Sequence, residues 1–71
     1  MAASSDRAPV DVGDSYHLEI EELGREGDGI GYVEDFVVIV PDATLGESVP
    51  VVVDRVEEHY AIAEQTGEAG G

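Results

Sequence analysis

The chain has 71 residues, which is one domain at most, and a chain of this size buries only about 60% of its unfolded surface on folding. It carries 17 acidic residues against 3 arginines, with no lysine and no cysteine, for a formal charge of −14; disulfide staples and thiolate metal sites are therefore excluded. No apolar run approaches the roughly 18 residues of a membrane span, and Met1 to Pro9 lacks the apolar stretch of a signal peptide, so a soluble, cytoplasmic protein with no membrane partner is expected.

Met1 to Pro9 is small and polar and reads as a flexible lead-in, with an ordered domain over residues 10–65 and a flexible Gly-rich tail over 66–71. After the turn signal Val12-Gly13-Asp14, the apolar Tyr16, Leu18 and Ile20 alternate with His17, Glu19 and Glu21, the period-two pattern of a half-buried strand. Gly24, Gly27, Gly29 and Gly31 then rule out a helix and suggest backbone positions with positive φ. Ile30 to Val33 is a short second strand, Glu34-Asp35 a two-residue polar break, and Phe36-Val37-Val38-Ile39-Val40 a β-branched run expected to be buried on both faces. Pro41 ends that run, and Asp42 to Gly46 form a loop. Val49, Val51 and Val53 alternate through a fourth strand in which Pro50, lacking an N–H, belongs at a strand end, a bulge or a sheet edge. Glu57-Glu58 is a turn, and Tyr60 to Glu64 a fifth strand. Five short strands and no helix predict an all-β fold, a small closed or partly closed barrel. Its core is expected to hold Leu18, Ile20, Ile30, Val33, Val38, Val40, Val49, Val51 and Val53.

The charge distribution narrows the function classes. The acidic residues run along the whole chain instead of forming a tail, which reads as halophilic solvent adaptation in preference to one acidic patch for a basic partner. The glycine segment Gly24-Arg25-Glu26-Gly27-Asp28-Gly29-Ile30-Gly31 is not a phosphate loop, because no Gly-Lys-Ser/Thr closes it, no helix follows it, and Glu26 and Asp28 would repel an anion. His17 with Glu19 and Glu21, and His59 with Glu57 and Glu58, have imidazole beside carboxylates, as is common by chance in so acidic a chain, and no metal site is assigned. Ser15 and Ser48 lack a nucleophile elbow. No catalytic residue, metal ligand or cofactor is expected, and the protein is read as a binding module and not an enzyme. Tyr16, Tyr32, Phe36 and Tyr60 are its aromatics; strand-borne rings on a small barrel can stack bases for about 1–3 kcal/mol each. Tyr16 reads as a core cap, while Tyr32, Phe36 and Tyr60 sit beside turns.

Taken in order, Val12-Gly13-Asp14, the glycine segment from Gly24 to Ile30, Gly31-Tyr32-Val33-Glu34-Asp35-Phe36-Val37-Val38, Val40-Pro41, Gly46-Glu47, and Val56 followed by His59-Tyr60-Ala61-Ile62-Ala63-Glu64 resemble a TRAM domain of the small stand-alone archaeal kind. The resemblance spans about Val10 to Glu64. It implies a five-stranded OB-like β-barrel and binding of RNA, either tRNA or single-stranded RNA, with an RNA chaperone role of cold-shock type among the implied functions. Carried over by position, the RNA-binding residues are Arg25, Phe36, Arg55, His59 and Tyr60. Related domains carry several basic residues along the fourth strand and the next turn, where this chain has only Arg55. The alternative is an acidic protein–protein interaction module that has lost RNA binding. A monomer is expected in either case.

Overall fold

The computed structural model describes residues 9–66. Save for Pro9 and Thr66, the expected flexible lead-in and tail lie outside the described residues. Six strands form: β1 (Ser15–Glu19), β2 (Glu22–Leu23), β3 (Gly29–Val33), β4 (Phe36–Val40), β5 (Ser48–Val56) and β6 (Tyr60–Gln65). There is no helix among the described residues. The strands make one sheet in the order β1-β5-β6-β4-β3-β2. All neighbours pair antiparallel except β4 and β6, which run parallel.

The two edge strands of this sheet are consecutive in the chain, and that makes it curl. The Ile20 N–H donates to the Glu47 carbonyl at 2.8 Å, on the β5 side, while the Glu21 N–H donates to the Ile30 carbonyl on β3 at 2.8 Å. Within one residue the chain changes partner from one end of the sheet to the other, giving the curled half-barrel of an OB-like all-β fold. The expected count of five strands is corrected to six. Glu22 and Leu23 pair with Ile30 and Gly29, a two-residue ladder too short to show periodicity.

β1 crosses close over β3, and glycine makes the crossing possible. A Cβ on Gly31 would lie 2.7 Å from the Glu19 carbonyl oxygen and 2.7 Å from Leu18 Cγ; one on Gly29 would lie 2.6 Å from Ala43 Cβ. These two glycines are therefore small for packing reasons, and of the four expected at positive φ only Gly27 has it, at 90°. The β3–β4 hairpin turns on Glu34 and Asp35, at φ 53° and 72°. Positive φ at both central residues is the requirement of a type I′ turn, whose twist matches the strands it joins.

The core holds Val10, Leu18, Ile20, Val38, Val40, Ala43, Val49, Val51, Val53, Ala61 and Ala63, with Tyr16, Val33, Phe36 and Val56 packed against it. Ile30, expected inside, is only half-buried. Because Gly29 and Gly31 occupy the inner face of β3, strand alternation turns Ile30 and Tyr32 outward. β4 is buried on one face only. Val38 and Val40 point in, while Val37 and Ile39 are half-buried on the outer side, since a single curled sheet has no second layer to cover them. Pro50 lies within β5 opposite His17, and its carbonyl accepts the Thr66 N–H at 2.9 Å. A strand residue directs its N–H and C=O to the same neighbour, so proline forgoes the reciprocal bond to Thr66, one bond at the very end of the β6 ladder.

Candidate nucleic-acid interface

The β5–β6 hairpin positions the principal polar side chains. Val49, Val51 and Val53 point inward, and unbroken alternation would bury Arg55 with them. A β-bulge between Val53 and Arg55 prevents this: Val53 opposes Ala63, Arg55 opposes Ile62, and Val56 opposes Ala61. The extra residue moves Arg55 to the outer face and returns Val56 to the core. Arg55 Nε donates to the Glu57 carboxylate in an ion pair, with the arginine side chain 65% exposed. The Glu57 N–H donates to the Tyr60 carbonyl at 2.7 Å and closes the turn that carries His59. Tyr60, at 38% exposure, stands beside Val37 of β4 on the outer face and lies diagonally across the β5–β6 pair from Arg55.

The structure thus brings Arg55, His59 and Tyr60 together at one end of the sheet. Phe36 begins β4 at this same end, but on the inner side, half-buried and packed against the core. Arg25 is not part of the cluster. It is exposed in the turn between β2 and β3, beside the Gly29–Val40 end of the ladder, a strand length of roughly 13–16 Å from the Tyr60 end.

Tyr32 completes the outer surface there and was not among the expected site residues. It opposes Val37, is 37% exposed, and donates from its hydroxyl to Glu22 Oε2 at 3.5 Å. The Glu22 carboxylate, with a smaller contribution from burial, holds its hydroxyl above the usual tyrosine range. The signal that locates it is the alternation Gly29-Ile30-Gly31-Tyr32, in which the residues that cannot bear a side chain mark the inner face. Tyr16 is a core cap, as expected, and its hydroxyl donates to Asp14 Oδ2 at 3.3 Å. Burial, then the Asp14 carboxylate, keeps it protonated above the usual range.

Among the described residues no three His, Asp or Glu side chains are grouped to hold a metal ion, and no buried side-chain donor or acceptor lacks a partner. A cleft of about 250 Å³ lies at the far end of β4 and β6, lined by Pro41, Asp42, Glu64 and Gln65. No helix of the described residues is long and apolar enough to cross a membrane.

With this geometry established, comparison with known proteins identifies its relatives. The TRAM domain model matches residues 9–66. An uncharacterized protein of Methanocaldococcus jannaschii is 47% identical over 57 residues, which cover 80% of this chain and 74% of that one. The ribosomal RNA large subunit methyltransferase E of Haloarcula marismortui is 48% identical over 56 residues, 79% of this chain but 21% of the methyltransferase. The corresponding enzyme of Halorubrum lacusprofundi is 41% identical over 63 residues and is covered to 23% of its length. The chain therefore spans about a fifth of these methyltransferases. The solution structure of a conserved protein of Methanococcus maripaludis superposes with a TM-score of 0.82 at 40% identity, over 89% of this chain and 90% of that one.

Proposed function

The chain belongs to the TRAM domain family, a family of RNA-binding modules, and on that premise we propose that it binds tRNA or single-stranded RNA through the end of the sheet that carries Arg55, His59 and Tyr60. The observation that supports this reading is the bulge at Asp54-Arg55, which turns Arg55 to the outer face, on the side where the next turn carries His59 and where β6 begins with Tyr60. Tyr60 supplies a face for an unpaired base, worth about 1–3 kcal/mol. Arg55 and His59 meet phosphate oxygens or base edges, and Phe36 supports the surface from the inner side. Arg25 contacts only an RNA long enough to reach the other end of β3. With so few basic contacts the salt slope is shallow, because each neutralised phosphate contributes only about −0.7 to the logarithmic slope for single strands. A binder of this kind keeps its affinity in concentrated salt and suits a chaperone that holds unpaired RNA.

The test is fluorescence anisotropy of a labelled single-stranded RNA, and separately of tRNA, in molar potassium chloride. Tyr60→Ala is expected to weaken binding about five- to a hundredfold with its salt slope unchanged. Phe36→Leu, which keeps the apolar volume and removes the ring, separates support from stacking. Unchanged binding by a folded Tyr60→Ala protein would remove Tyr60 from the site. A second reading, an acidic module that meets a basic protein, is favoured by one observation: the arginine of this surface is already paired with Glu57.

A further inference from the structure

The outer face of β3, β4 and β6 is apolar where a solvated strand face is ordinarily polar. The register places Ile30, Ile39 and Ile62 in one row across the three strands, and Tyr32, Val37 and Tyr60 in the next. The four aliphatic side chains are half-buried and the tyrosines 37% and 38% exposed. The described residues form one sheet with no second layer over these rows, and only the turn at Gly24 lies against Ile30. Carboxylates frame them. Glu22 opposes Ile30 on the β2 side, and Glu64 follows Ile62 on the same face of β6. Glu34 and Asp35 in one turn, with Glu57 and Glu58 in the next, close the end nearest the tyrosines. Against these stand His59 and Arg55, and Arg55 is held by Glu57.

An apolar centre inside an anionic frame complements a ligand with apolar side chains between cationic ones. We infer that this face docks a lysine- or arginine-rich polypeptide segment whose interspersed aliphatic residues cover the two rows. A nucleic acid strand laid centrally on the same face would bring its phosphates against Glu22 and Glu64, so charge favours the cationic polypeptide here. The inference does not rest on the RNA reading: the two share Tyr60, while Arg55 and His59 lie at the turn end, outside the two rows. It gives a place and a chemistry to the interaction-module reading.

The test uses the full chain and two labelled peptides: a lysine peptide interspersed with leucines, and the same peptide with serine for each leucine. Binding is measured in molar potassium chloride, where screening within about 3 Å leaves little beyond contact electrostatics. The leucine peptide is expected to bind at least ten times more tightly than the serine peptide. Ile39→Thr with Ile62→Thr, which keeps β-branching, is expected to abolish that difference. If the double variant fails to fold, the isosteric Val37→Thr is expected to reduce the preference at least threefold. Equal binding of the two peptides, or an unchanged preference in a folded variant, overturns the inference. So does a dimer in sedimentation that Ile39→Thr/Ile62→Thr dissolves, because the occupant is then a second copy. Single-stranded RNA that displaces the leucine peptide and itself loses affinity in the double variant assigns the face to RNA and likewise overturns it.

Discussion

Arg55 is accessible and yet occupied. Its side chain is 65% exposed and its Glu57 partner 34%, so the pair is a screened surface ion pair, a kind worth about 0.2–1 kcal/mol. A phosphate that engages Arg55 must first displace Glu57. Glu57→Gln is therefore expected to tighten binding of a single-stranded RNA about two- to fivefold, the equilibrium equivalent of releasing such a pair. Removing any carboxylate also reduces general repulsion, so the comparison is Asp54→Asn, an equal charge change at the neighbouring bulge position. A gain confined to Glu57→Gln identifies Arg55 as an RNA contact. Equal gains in the two variants attribute the effect to net charge and leave Arg55 without a role.

The β3–β4 hairpin shows how much the sequence reveals at the scale of an element. Gly31→Ala is expected to destabilise the fold by roughly 2–3 kcal/mol, because its Cβ would meet the backbone of Glu19, which has no flexible end to yield. Replacing Glu34-Asp35 by Asn-Gly is expected to stabilise it by about 1 kcal/mol, since two non-glycine residues now occupy positive φ. Chemical denaturation in molar salt checks both; a neutral Gly31→Ala would show that β1 can shift away from β3. The strand from Phe36 to Val40 was legible because a β-branched run is a local property, though its one buried face was not, and the alternation from Val49 to Val53 because period two is local too. The faces of Ile30 and Phe36 were not, since they depend on β1 crossing β3, a contact distant in sequence. A glycine required for close packing and one required for positive φ look alike in a sequence, which is why Gly29 and Gly31 were misread. The bulge was hidden for a similar reason. Asp54-Arg55 reads as a polar strand end until β6 pairs beside it, so Arg55 was identified by resemblance while the device that exposes it was not.

At the scale of the molecule the question is what holds so acidic a chain together. The formal charge is −14, no charged side chain of the core is buried, and among the described residues the Arg55–Glu57 contact is the one ion pair between side chains. The carboxylates are therefore left to solvent and counterions. The described residues span 39 × 29 × 16 Å, whereas the Debye length falls from about 30 Å at 0.01 M salt to about 3 Å at 1 M. In dilute salt every carboxylate feels nearly every other; in molar salt each feels only its neighbours. A chain of 71 residues has a small margin of stability against that repulsion. The strand signal in circular dichroism is expected to weaken on dialysis from molar to millimolar potassium chloride and to return when salt is restored. Salt also strengthens apolar burial, so the control is a charge variant, Glu21→Gln with Glu26→Gln and Glu58→Gln, all at exposed positions. If repulsion is the cause, the variant unfolds at a lower salt concentration than the parent chain. A signal flat down to millimolar salt would show that the curled sheet withstands its charge unaided, and an unmoved midpoint in the variant would assign the salt requirement to the apolar core.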